Sequence, residues 1–162
     1  GIVPRCHESV FLAGGAVVAG DVEIGEDSNV WFHTVIRGDI NRVRIGKRTN
    51  VQDNCTLHVT HACSLEVGDS VTFGHGAVAH GCTIEDFCMI GIGAIVLDGV
   101  VIGTGSVIGA GAVVAPRTIV PPHSLVMGVP GKVVKTLAPE SAVANRITAD
   151  HYVEYARNYR KG

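Results

Sequence analysis

The chain is predicted to fold as an all-β solenoid, a parallel β-helix followed by one C-terminal α-helix, and three observations carry that expectation. An apolar residue recurs every six positions through Leu12, Val18, Ile24, Val30 and Ile36, then through Ile45, Val51 and Leu57, and then through Val67, Phe73 and Ala79. The longest run is Ile84, Ile90, Val96, Ile102, Ile108, Val114 and Val120. A small or β-branched residue stands two places ahead of most of these, as at Ser28, Thr34, Ala77, Ala94 and Ser106, and glycine often follows. Finally, a six-residue period fits neither an amphipathic helix nor a hairpin sheet; self-similarity of this kind belongs to units that bury a core only by stacking.

The repeat resembles the hexapeptide-repeat left-handed β-helix, in which three six-residue strands complete one triangular coil. The resemblance implies the left hand, an exception to the usual right-handed crossover. In such a coil the aliphatic residue points into the prism and stacks on its counterpart at about 4.8 Å. Small residues fit the corners, and glycine takes positive φ there at little steric cost.

Taken in order, residues 1–11 are a lead-in expected to cover the open end of the prism, and residues 12–120 form the coils. The register breaks between Ile36 and Ile45, between Leu57 and Val67, and between Ala79 and Ile84. All three breaks follow the same corner if Ile24–Val30–Ile36, Ile45–Val51–Leu57 and Val67–Phe73–Ala79 are successive coils. Insertions gathered on one edge of a solenoid mark a working face. The ladder is expected to end at Pro121–Pro122, which cannot donate to strand pairing. Residues 121–138 then form a connector. Residues 139–162 form a helix opened by Pro139 and Glu140, with Val143, Ile147, Val153 and Ala156 as its stripe against the prism.

With 162 residues, 46% hydrophobic and 17% charged, the chain has enough apolar content for one domain core. A net charge of -2, with the two signs interleaved, gives no electrostatic case for nucleic acid. No apolar run reaches the ~20 residues of a membrane span. The opening residues lack the basic start and long apolar stretch of a signal peptide. Of five cysteines, Cys55, Cys82 and Cys88 occupy the small-residue register and are expected to be buried packing residues. An odd number without a CxxC pair or export signal points to a reducing compartment, the cytoplasm.

Histidine is concentrated between Asn50 and Gly81, where His58, His61, His75 and His80 account for four of the chain's eight. His58 follows Leu57 and His80 follows Ala79, so the two occupy one corner in successive coils, about a strand spacing apart. His75 lies two residues after Phe73, on the preceding face. A single prism does not readily bring it to the other two, whereas a cyclic homotrimer sets the edge of one subunit against the face of the next. Three neutral imidazoles with a fourth position open to water make a Zn2+ site suited to generating hydroxide. Co2+ or Fe2+ is an alternative occupant. The plainer alternative is corner histidines bonded to turns, and His61 is either a solvated loop residue or a proton carrier.

The segments VWFHTVIRGD (30–39), IGKRTNVQDNCTLH (45–58) and VTFGHGAVAHG (71–81) resemble those of the γ-class carbonic anhydrase family, and the likeness extends over nearly the whole chain. The resemblance implies reversible hydration of CO2 to bicarbonate at subunit interfaces, with His58 and His80 binding metal together with His75 of an adjacent subunit. It assigns Gln52 to the metal-bound hydroxide, Asn50 to the same polar network, and Arg37, Asp39 and Asp53 to charges at the interface. Arg37 is expected to pair with Asp53 or to attract the anionic product. The acidic proton-shuttle positions of well-known members are Ile40 and His61 here, and the acidic loop is missing. The chain is thus similar to a shorter branch of the family, in which a helix tyrosine, matched by Tyr152, reaches the site. Two other functions stay open: a hexapeptide-repeat acyltransferase or thioester hydrolase using a histidine base, and a metal-binding assembly module without fast catalysis.

Overall fold

The computed structural model describes residues 1–161; Gly162, the last residue of the expected helical segment, lies outside the described residues. The chain is a parallel β-solenoid of about seven turns with one C-terminal helix. Its rungs form three stacks. The first passes through Val18, Ile36, Leu57, Ala79, Val96 and Val114, and the second through Ile24, Ile45, Val67, Ile84, Ile102 and Val120. The third passes through Leu12, Val30, Val51, Phe73, Ile90, Ile108 and Val126.

The stacked side chains make the core: Ile36, Leu57, Phe73, Ile90, Ile102 and Ile108 are fully buried. Most of the small residues two places earlier are buried with them, Thr34, Ala77, Ala94 and Ser106 completely. Their hydroxyls satisfy corner backbone that no strand pairs. Thr34 Oγ1 donates to the Gln52 carbonyl at 2.5 Å, and Ser106 Oγ donates to the Pro121 carbonyl at 3.0 Å.

The expected break between Ile36 and Ile45 is a continuous strand, Val35–Ile45, that carries the chain from the first stack to the second and pairs with Val17–Ile24 around the corner. The two long strands join these stacks into one 11-stranded sheet, while the third stack belongs to an 8-stranded sheet. Gly20, at φ +82°, allows the turn, because a Cβ there would stand 2.2 Å from the Gly38 carbonyl oxygen.

Four expectations are corrected. Pairing begins before Leu12, with Arg5–Cys6 on Glu23–Ile24. Leu12 itself is 46% exposed, because it is the terminal rung and is stacked on one side only. The ladder also continues past the two prolines: Val126 is buried on Ile108, and Lys132–Thr136 returns antiparallel to Ser124–Met127. Pro121 and Pro122 sit at a corner, where no N–H donor is needed.

The fourth correction concerns the helix, Ser141–Tyr159, which buries Asn145, Ala149, Val153 and Ala156 and leaves Val143 and Ile147 56% and 48% exposed. The surface it covers is polar, with Asn29, Asn50 and Thr72 buried on strands of the third stack. The helix is therefore seated by specific bonds as well as by apolar contact. Asn145 Nδ2 donates to the Phe87 carbonyl at 2.9 Å, and Arg48 Nη2 pairs with Asp150 at 2.6 Å. Alanines at 149 and 156 suit close approach to the strands. Among the described residues, no helix is long and apolar enough to cross a membrane.

Candidate metal centre

Two corners of the prism carry the residues singled out by the sequence. At the corner between the first and second stacks, His58 and His80 are register partners on neighbouring parallel strands. His58 Nδ1 lies 3.1 Å from His80 Nε2, and each remaining ring nitrogen meets a carboxylate. His58 Nε2 is 3.0 Å from Asp39 Oδ1, and His80 Nδ1 is 2.5 Å from Asp98 Oδ1. The four side chains thus form one file, Asp39–His58–His80–Asp98.

Proton accounting along this file decides its chemistry. A carboxylate only accepts, so each outer imidazole nitrogen carries the proton, and in the neutral rings both inner nitrogens are acceptors. Two lone pairs facing each other at 3.1 Å repel unless a cation or a proton lies between them. This donor set fits a divalent metal: imidazole nitrogens whose far sides are held by carboxylates are the usual surroundings of a ligating histidine. Arg37 forms an ion pair with Asp39. The hydrogen bond from His58, with a smaller contribution from Arg37, holds the Asp39 carboxyl below its ordinary range.

His61 is exposed on the loop after His58. The Asn41 side chain anchors that loop, donating to the carbonyls of Thr60 and His61 at 3.0 and 3.2 Å. Ile40 is exposed beside Asp39.

At the other corner, between the third and first stacks, His75 Nδ1 lies 2.9 Å from Asp53 Oδ2, and Asp53 Oδ1 accepts the Phe32 backbone N–H at 3.1 Å. A cavity of about 260 Å3 opens here, walled by Trp31, Phe32, Tyr152, Tyr155 and Tyr159. Tyr152 meets Trp31 edge-on with ring centroids 5.6 Å apart. Burial first, and then the Asp53 charge, raises its phenol pKa. Beneath the helix, Gln52 Nε2 donates to Asn50 Oδ1 at 3.1 Å, and Asn50 Nδ2 donates to Thr72 Oγ1 at 2.7 Å.

The structure therefore brings together Arg37, Asp39, His58 and His80 at one corner, and Asn50, Gln52, Asp53, His75 and Tyr152 at or near the other. Within one chain it does not bring Arg37 to Asp53, because one follows a first-stack rung and the other a third-stack rung. Among the described residues of one chain, no three His, Cys, Asp or Glu side chains converge on a metal position. The sequence reading missed Asp98 and the aromatic wall. The signals were an Asp-Gly pair at the corner following His80, and tyrosines at 152, 155 and 159 with helical spacing. A larger cleft of about 500 Å3 beside Arg5, Cys6 and Arg44 lies on the second stack. Its charges are already paired, Arg5 with Glu23 and Arg44 with Asp21.

Fold and repeat define a hexapeptide-repeat protein, and residues 81–116 match the family model described as bacterial transferase hexapeptide (six repeats). The relationship extends further. The chain is 50% identical over 147 residues to a Methanocaldococcus jannaschii protein named "Probable carbonic anhydrase", covering 91% of this chain and 92% of that one. It is 39% identical over 160 residues to "Gamma carbonic anhydrase 2, mitochondrial" of Arabidopsis thaliana, covering 95% of this chain and 58% of the plant protein. A crystal structure of a Bacillus cereus chain named "putative acetyltransferase" superposes with a TM-score of 0.94 at 42% identity, covering 98% of this chain and 92% of that one. The chain belongs to the γ-class carbonic anhydrase family.

Proposed function

We propose that the chain is a metal-dependent carbonic anhydrase, a left-handed homotrimer that hydrates CO2 to bicarbonate at its subunit interfaces. His58 and His80 of one subunit and His75 of the next would hold the metal, Zn2+ by ligand type, with Co2+ or Fe2+ also compatible with imidazole donors. The observation that carries this reading is the facing pair of acceptor nitrogens on His58 and His80, each backed by a carboxylate. The relatives' names support the same chemistry.

When bound, the metal supplies a hydroxide nucleophile near neutral pH, a property for which carbonic anhydrase zinc is itself the standard example. The chain's own groups do the rest. Asn50 fixes the amide of Gln52, which orients the attacking water by hydrogen bonding. Arg37 attracts the anionic product while holding Asp39 against His58. Asp53 sets the ring of His75. The aromatic wall excludes bulk water, and Tyr152 either donates to a bound ligand or caps the cleft. His61 takes part in proton export to buffer. The free cysteines, five among the described residues, fit a reducing cytoplasm.

Anaerobic purification with elemental analysis, followed by a CO2 hydration assay on the same material, tests the proposal. Stoichiometric metal with metal-dependent hydration is expected. Metal-loaded protein without hydration would favour the second reading, acyl transfer or thioester hydrolysis with one histidine as base, for which the name of the Bacillus cereus structure speaks.

A further inference from the structure

We propose that Asp98 is a positioning residue for metal binding: it accepts the Nδ1–H of His80 and so keeps His80 Nε2 unprotonated and turned toward His58. The inference rests on the metal-binding reading above and gives Asp98 a specific role that the reading leaves unstated. Asp98 Oδ1 lies 2.5 Å from His80 Nδ1. Among the described residues, His80 is its only ion-pair contact. Asp39, the carboxylate at the other end of the file, is shared between His58 and Arg37. The two ends are therefore inequivalent, and removing Asp98 reports on His80 alone.

Backbone geometry sets Asp98 there before any ligand arrives. At this corner the Gly81 N–H donates to the His58 carbonyl at 3.0 Å, and the Gly99 N–H donates to the Gly81 carbonyl at 2.7 Å, locking three coils in file. The Asp98–Gly99 turn, with Gly99 at φ +69°, places the carboxylate above His80. Gly81 leaves room for it: a Cβ at that position would stand 3.3 Å from Asp98 Oδ1 and 2.9 Å from Cys63 Cβ. Without the carboxylate the imidazole is free to carry its proton on Nε2, the nitrogen that faces His58. Metal binding must then first move the proton or turn the ring. Losing a carboxylate behind a ligating histidine weakens metal binding ~10- to 100-fold. The side chains here are partly solvated, 31% and 44% exposed, which places the expected loss near ~10-fold.

The test uses wild type, Asp98→Asn and Asp98→Ala. One measurement is the tautomer of His80, read from imidazole 15N shifts in metal-free protein. The other is Zn2+ affinity by competition with a chelator. Wild-type His80 should be the Nδ1–H tautomer. Asp98→Ala should gain the Nε2–H form and bind Zn2+ about 10-fold more weakly. Asp98→Asn should retain part of both properties, because its amide oxygen still accepts and its shape is unchanged. Asp98→Ala with an unchanged tautomer and unchanged affinity overturns the proposal alone. Wild-type protein that takes up no Zn2+ overturns the metal reading and this proposal with it.

Discussion

The two histidine-bearing corners are built on different principles. The His58–His80 corner is a polar file on the outside of the prism, where each ring is held by hydrogen bonds and no apolar side chain of the core depends on it. The His75 corner is packed: Trp31 is buried and stacks against Phe11, Phe32, Tyr152 and Tyr159, tying the helix to the first coils. Substitutions of the ligands should thus change chemistry, and substitutions in the aromatic cluster of the second corner should change folding.

The sharpest separation is at the ligands. His58→Ala or His80→Ala should abolish stoichiometric metal while leaving the far-UV circular dichroism close to wild type, since the aliphatic ladder lies inside the prism and the imidazoles lie outside it. Wild-type metal content in either variant would remove the proposed centre. Trp31→Ala should do the opposite, lowering stability by ~3–5 kcal/mol, the range for deleting a buried aromatic ring. A chemical denaturation midpoint equal to wild type would show that the aromatic cluster does not hold the helix.

A smaller effect is expected in proton transfer. Ile40 and His61 stand where acidic groups are expected in relatives, so concentrated imidazole buffer should accelerate CO2 hydration, and Ile40→Glu should do so at low buffer. A rate indifferent to buffer concentration would place the slow step elsewhere.

The interior provides the most uniform effect. Burial pushes the Cys55 thiol up to about 11 and those of Cys82 and Cys88 to about 12, against an ordinary value of 9.0. A pKa raised by folding stabilises the folded state below the unfolded value, and that contribution is lost as pH climbs from about 9 toward 12. Stability should fall through that alkaline window, and less steeply in Cys88→Ala than in wild type. Near pH 8, an alkylating reagent should reach Cys6 and Cys63 before the three buried thiols. Equal labelling of all five would contradict the packed core.

The core and the His58–His80 register were legible because the six-residue period fixes inward and outward positions by counting. The ends were not. Leu12 obeys the period yet lies open, since the period does not show that its rung is the first of the stack and has no strand beyond it. Pro121–Pro122 reads as a stop but occupies a corner, so the period alone could not show that Val126 adds a rung. The helix face was misread because Asn145 and Ala149 bind a polar surface, which an apolar-stripe rule does not detect. Asp98 was hidden for a related reason: an Asp-Gly pair reads as a turn, and its carboxylate gains a partner only when coils stack. The separation of His75 from His58 and His80 was readable from their different faces. The family resemblance assigned Gln52, Asn50 and Tyr152 to the site without showing that they lie on His75's side of the prism.

The division of the centre between chains is the claim on which the functional reading depends, and subunit mixing tests it most directly. His75→Ala chains and His58→Ala/His80→Ala chains, each expected to lack metal alone, would be unfolded and refolded together at 1:1. In a cyclic trimer, a site is complete only where intact His58 and His80 of one chain meet intact His75 of the next, so random assembly should restore about a quarter of wild-type metal and activity. Recovery near zero, in mixed trimers shown to have formed, would contradict the shared centre.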